Sequence, residues 1–222
     1  MKDYSVFDIL GPIMIGPSSS HTAGAARLAL ISKEIAGEGF YRVDFLLHGS
    51  FAKTYKGHGT DKALVGGVLG MSPDDEDIKI SLDLAIEKGI EVSFEEVDLG
   101  YVHPNTVKLI FKYHDRDDFY IIGSSIGGGN IVIMDINDNI VNFTADKPTM
   151  LLKYNDRKGV ISEVSAIFSR NGLNIASMKV TREKKIATII CELDTLINEE
   201  SIEDIRKIED IFYINSINPI ER

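Results

Sequence analysis

The chain has 222 residues, 44% of them hydrophobic, with 24 Lys plus Arg against 34 Asp plus Glu and a net charge of −10. That length supports one large core or two small ones, and two are expected here, while the negative balance sets aside a nucleic-acid backbone or an anionic membrane as main partner. The single cysteine, Cys191, excludes an internal disulfide and cannot by itself hold an iron-sulfur cluster or a structural zinc, so any such cofactor sits mostly on another chain.

No stretch reaches the length of a membrane span, and Met1 to Leu10 carries two acids and no apolar leader run, so the chain reads as soluble and cytoplasmic. Thr22 to Ala36 places Ala25, Leu28, Ile31 and Ile35 at helical spacing, closed by Gly37 and Gly39. Val43, Phe45 and Leu47 alternate as a strand. Two short helical pieces then flank the turn Gly57 to Gly59, the second running from Thr60 to Leu69. Asp74 to Asp77 start a further helix with Ile78, Leu82 and Ala85 on one face, ended by Lys88-Gly89. Strands follow at Ile90 to Phe94, Val107 to Tyr113, Phe119 to Ile122 and Ile131 to Ile136, the last two either side of a glycine loop. The first domain thus reads as helices followed by an antiparallel sheet.

Asp146, Lys147 and Pro148 interrupt the strand pattern, which puts a boundary between domains 1–146 and 147–222. Beyond it the order is strand (Leu151 to Tyr154), helix (Val160, Val164, Ile167, Phe168), strand (Ile175 to Thr181), strand (Lys185 to Leu193), helix (Ile202, Ile205, Ile208) and strand (Phe212 to Ile217). That βαββαβ order is the ferredoxin-like unit, and the whole is an α+β protein.

Gly16-Pro17-Ser18-Ser19-Ser20-His21-Thr22 stands directly before the first helix. One hydroxyl suffices for an N-cap. Three serines, a histidine and a threonine at the positive end of a helix also suit a carboxylate. On the residues alone, cap and anion site explain the segment equally. His58 is read as a loop residue between Gly57 and Gly59, where a ligand can approach closely, and its near-neutral ionisation suits general acid or base work. Thr60 or Asp61 can cap the next helix. His48, His103 and His114 adjoin strand patterns and read as structural. Gly123 to Asn130 lies between two strands, which rejects a dinucleotide fingerprint and a P-loop; it reads as a flexible hairpin loop, with an anion nest or a lid as the alternative. In the second domain, Asn155 to Gly159 and Asn171 to Ile175 suit turns and caps, and also place polar groups where a small amino acid could bind between two copies of the unit.

The runs GPSSSHTAGAARLAL and GSFAKTYKGHGTDKALVGGVLG, with the late GGGN, resemble the β subunit or β domain of iron-sulfur L-serine dehydratases over roughly Tyr4 to Asn142. The turn Asp156 to Val160 and the step Asn174-Ile175-Ala176 resemble an ACT regulatory domain over the rest. The resemblance implies a mixed α/β first domain like the allosteric substrate-binding domain of some phosphoglycerate dehydrogenases, where a similar fold serves regulation. It further implies a lyase of amino-acid catabolism and gluconeogenesis that deaminates L-serine to pyruvate and ammonia in a heterodimer. The [4Fe-4S] cluster would be held by a partner α subunit, with no metal on this chain. Carried over by motif, Ser18, Ser19, Ser20 and Thr22 would hold the substrate carboxylate. His21 and His58 would handle protons, and Thr60 and Asp61 would position His58 or the substrate. An effector would meet Asn155, Asp156, Gly159 and Asn174, although the turn carries Asp156 and Lys158 where serine-binding ACT domains often have asparagine and proline. Self-association through ACT edge strands is expected. A freestanding amino-acid sensor is the alternative function.

Overall fold

The computed structural model describes residues 14–219, so the reading made on Met1 to Leu10 lies outside the described residues. The chain divides into two compact units, one running to Thr144 and the other from Ala145 to Pro219.

The first unit is built around α1 (Gly24–Ala36), entered through a single π-helical turn, Ser19–Ala23. Ala25, Ala26, Leu28, Ala29 and Ile31 are wholly buried, so α1 is enclosed on nearly every side, as expected of a helix this apolar. Its small residues admit close neighbours. β1 (Arg42–Leu47) buries Val43, Phe45 and Leu47 in strict alternation. α2 (Gly49–His58) and α3 (Thr60–Val68) are separated only by Gly59, whose left-handed backbone at φ 69° ends one helix and starts the next. Asp75 then caps a 3-10 turn, Glu76–Ile80, that leads into α4 (Ser81–Glu87).

β2 (Glu91–Glu96), β3 (Thr106–Lys112), β4 (Phe119–Gly127), β5 (Asn130–Ile136) and β6 (Asn139–Phe143) complete a sheet in the order β2-β1-β3-β4-β5-β6. Three features differ from the sequence reading. The sheet is mixed, because β2 pairs with β1 in parallel. The helices α2 to α4 form the crossover that a parallel pair needs, and they return the chain to the end from which β1 started. β4 runs five residues beyond the expected end at Ile122, with Ser124 and Ser125 paired to Val132 and Ile131, which leaves only Gly128 and Gly129 for the turn. β6 was not anticipated. It follows a two-residue hairpin turn in which Asn137 and Asp138 are both left-handed, at φ 47° and 63°.

The second unit contains β7 (Thr149–Asn155), α5 (Val160–Arg170), β8 (Ile175–Glu183), β9 (Ile186–Leu193), α6 (Glu199–Arg206) and β10 (Ile211–Ile217). The sheet order β10-β7-β9-β8 is antiparallel throughout, the arrangement of a ferredoxin-like βαββαβ fold. Val160, Val164, Ile167 and Phe168 face the sheet from α5 and meet Leu152, Tyr154 and Ile189 in one core. Asn198 caps α6 by accepting a hydrogen bond of 2.9 Å from the Ser201 amide. An α+β fold with two cores is the result.

Candidate active site

The motif residues of the first unit meet where α1 and α3 begin. Gly67, late in α3, lies so close to α1 that a Cβ there would run into the Ala26 carbonyl oxygen and stand 2.8 Å from Ala29 Cβ. Nine residues earlier, the His58 ring lies 4.8 Å, centroid to centroid, from the His21 ring. The two helices therefore run side by side in the same direction, and their amide-rich, positive ends converge on the histidine pair.

Ser18 is extended, at φ −144° and ψ 124°, and its hydroxyl accepts a 3.2 Å hydrogen bond from the His21 amide. Ser18 is thus the cap. In the π turn that follows, the Gly24 amide reaches back to the Ser19 carbonyl, the kind of widened turn that recurs at functional sites. The Thr22 hydroxyl donates to the Ser18 carbonyl and to Met14 Sδ, so it ties the turn together. Ser18, Ser19 and Ser20 remain half-buried at the surface of the site.

His21 is only 9% exposed, and hydroxyls surround both ring nitrogens. Nδ1 lies 3.3 Å from Ser20 Oγ and 3.4 Å from Ser18 Oγ, and Nε2 lies 3.0 Å from Ser50 Oγ. Phe51 stacks edgewise on the ring at 5.4 Å. Burial first, and the neighbouring His58 second, hold the His21 imidazole below the ordinary histidine value of 6.5, so it is neutral near pH 7. His58 is exposed and sets its ring at 85° to that of His21. It is the last residue of α2 and not a loop residue, because the helix continues through Gly57 until Gly59 breaks it. Thr60 is wholly buried, and its hydroxyl has no partner among the described residues. Asp61 sits in the first turn of α3 and accepts from the Lys62 amide at 2.9 Å. Neither Thr60 nor Asp61 is hydrogen-bonded to His58 among the described residues.

Ser50 and Phe51 belong to the GSFAKTYKGHGTD run, where neither carries a sequence mark of its own. Their proximity to His21 is tertiary and has no local signal. The other histidines are occupied elsewhere: His48 Nδ1 accepts from the Leu99 amide at 3.1 Å, His103 Nδ1 accepts from the Asn105 amide at 3.1 Å, and His114 stacks on Tyr41 at 3.9 Å.

In the second unit the four effector candidates are not brought together. Asn155 donates to Asp210 at 3.3 Å, Asp156 pairs with Arg182 at 3.1 Å, and Gly159 opens α5 at φ 100°. Asn174 donates to Asp194 at 2.6 Å, at the other end of the sheet, where β7 begins and β9 finishes. Arg157 closes the first turn with a two-pronged contact to Glu163 at 2.7 and 3.0 Å and a third bond to Asp210 at 3.0 Å. The Glu163 carboxyl is held below its usual range by that guanidinium.

Cys191 is wholly buried in the core of the second unit, where burial pushes its thiol up to about 12. Among the described residues no group of three or more His, Cys, Asp or Glu is arranged to hold a metal ion. This chain's own residues do not fit a [4Fe-4S] cluster. Among the described residues no helix is long and apolar enough to cross a membrane.

Fold and site together define a two-unit α+β protein in which a unit carrying a histidine pair is followed by a ferredoxin-like unit. The serine dehydratase beta chain family model matches residues 5–89, and the ACT domain model matches residues 149–210. The L-serine dehydratase beta chain of Peptoniphilus asaccharolyticus is 46% identical over 202 residues, covering 90% of this chain and 91% of that one. The probable L-serine dehydratase beta chain of Bacillus subtilis is 38% identical over 219 residues, covering 98% and 99%. The L-serine dehydratase of Streptomyces coelicolor is 31% identical over 209 residues, covering 81% of this chain but 44% of that longer one. The chain belongs to the L-serine dehydratase beta-chain family.

Proposed function

We propose that this chain is the β subunit of an L-serine dehydratase that converts L-serine to pyruvate and ammonia at a site completed by an α subunit. The observation that carries the reading is the pairing of buried, neutral His21 with exposed His58 at the joint start of two helices, beside Ser18, Ser19 and Ser20. A carboxylate suits that place, since helix-start amides and hydroxyls are its natural partners. Thr22 serves the carboxylate indirectly, by fixing the turn. Thr60 offers a buried hydroxyl to the same end of α3, and Asp61 secures the first turn there.

The two histidines divide the work. His58 stands open to an incoming molecule and takes the α proton of serine, while His21, bound at both nitrogens, supplies a fixed neutral neighbour that does not repel the proton His58 gains. Loss of the proton and the β-hydroxyl gives aminoacrylate, and its imine form hydrolyses to pyruvate and ammonia. A [4Fe-4S] cluster on the α subunit supplies Lewis-acid assistance to departure of the hydroxyl when bound. The cluster is assigned to the partner because Cys191 lies in an apolar core, and because the Streptomyces coelicolor relative carries more than half of its length outside the matched region.

The ACT unit is proposed to pair with a second copy. Asn174 and the Asn155 to Gly159 turn lie at opposite ends of one unit, so an effector touching both would need a neighbouring unit. The test of the main reading is anaerobic turnover of serine to pyruvate by this chain mixed with its cysteine-bearing partner, against each chain alone. Activity confined to the mixture is expected. Robust activity from this chain alone would overturn the shared site, and amino-acid binding by this chain with an inactive, cluster-intact mixture would favour a sensor.

A further inference from the structure

Among the described residues, Ser50 brings the one hydroxyl against the His21 ring from outside the SSSHT motif, and its placement is over-determined. Its Oγ makes the shortest of the three contacts to the His21 ring, 3.0 Å to Nε2 against 3.3 and 3.4 Å at Nδ1. Its amide donates to the Pro104 carbonyl at 2.8 Å, and its carbonyl accepts from the Thr54 hydroxyl at 2.8 Å. Next to it, Gly49 is left-handed at φ 59° and packs so closely that a Cβ would stand 2.7 Å from the Pro104 carbonyl oxygen. His48 adds a second tie to the same β2–β3 connection by accepting from the Leu99 amide at 3.1 Å. Backbone, neighbouring glycine and connecting loop thus all serve to hold one hydroxyl at one ring nitrogen.

A serine 3.0 Å from a histidine also raises the possibility of a nucleophile, and the surroundings argue against it. Attack on a carbonyl needs N–H donors aimed at the developing oxyanion. The nearest candidates, the amides of Ser50 and Phe51, are both turned to the Pro104 carbonyl. What remains is an orienting role. A hydroxyl can donate to or accept from an imidazole nitrogen, so its fixed position holds one ring plane whichever nitrogen carries the proton.

Resting on the dehydratase reading above, we infer that Ser50 is a positioning residue that fixes the plane of the His21 ring beside His58. The Ser18 and Ser20 hydroxyls steady the other side of the ring but lie farther from it.

The test uses the full-length chain and three forms of it: wild type, Ser50→Ala and Ser50→Thr. Proton and nitrogen-15 spectra of the His21 ring in the isolated chain report its placement against Phe51 and His58, with no need of a partner or of turnover. Wild type is expected to show one set of ring shifts with contacts to Phe51 and His58, Ser50→Ala shifted and averaged ones, and Ser50→Thr, which keeps the hydroxyl, a return towards wild type. In the complex with the cluster-bearing partner, Ser50→Ala is expected to lower kcat by roughly 10- to 100-fold, as a misplaced catalytic constellation does, with little change in KM. Unchanged ring spectra in Ser50→Ala overturn the inference. So do altered spectra with wild-type kcat, which would leave Ser50 a packing residue only. If the wild-type complex turns over no serine, the dehydratase reading and the catalytic part of the inference both fall, and the ring spectra still decide whether Ser50 sets the ring plane.

Discussion

At the scale of single residues, the site is a set of hydroxyls arranged around a histidine that is kept neutral. His21 is held below 6.5 by burial and by His58. The unfolded chain therefore takes up a proton at higher pH than the folded chain, and His21's contribution to stability is whole above 6.5 and is lost as pH falls from 6.5 through the lowered folded value. A ring-proton titration should place the His21 midpoint below 6.5, and urea unfolding should show stability starting to decline in the same window; a midpoint at or above 6.5 would mean that the ring is not desolvated as described. Much of this was legible in the sequence. Ser18, Ser19, Ser20 and His21 announce a helix start with more hydroxyls than a cap needs, and the structure uses Ser18 as that cap. The role of Thr22 was less legible, because a hydroxyl that bonds to the carbonyl four residues back has the same sequence signature as one that points outward. Ser50 was not legible at all. Twenty-nine residues separate it from His21, and only the folded chain brings them together.

At the scale of elements, the parallel packing of α1 on α3 makes the site. Gly67 is a close point of that contact, and replacing it with alanine forces a methyl group against the backbone of α1. Gly67→Ala should cost about 1–3 kcal/mol of stability, the usual penalty for overpacking a close contact, read as a lower urea midpoint. An unchanged midpoint would show that the helices part freely and that the His21–His58 spacing is not set there. The hydrophobic periodicity located nearly every helix and strand, yet it could not supply the parallel β1–β2 pair, since pairing direction depends on where the crossover returns the chain. β4 was cut short because Gly123, Ser124 and Ser125 give no apolar alternation, although their backbones pair normally. β6 was missed because its five residues bury only Val141 and Phe143. His58 was read as a loop residue because its two glycine neighbours look like turn residues, but only Gly59 adopts the left-handed backbone.

At the scale of the molecule, two units with separate cores carry separate kinds of chemistry. The first gathers ionisable and hydroxyl groups at the ends of two helices, and the second commits its charged turn residues to one another, with Arg157 bridging Glu163 and Asp210 and Asp156 pairing with Arg182. The βαββαβ order of the second unit was readable from strand and helix periodicity alone, because each element alternates or repeats cleanly. The central claim is that this chain lends a proton-handling histidine to a site shared with a cluster-bearing partner. The measurement that bears on it most directly is anaerobic serine turnover by the assembled complex carrying His58→Ala, compared with wild type at matched assembly and matched cluster content. His58 is exposed at a helix end, so the variant should fold and assemble normally, while turnover should fall by about 10²–10⁴-fold, the range expected for loss of a general base. Undiminished turnover in a properly assembled His58→Ala complex would contradict the account.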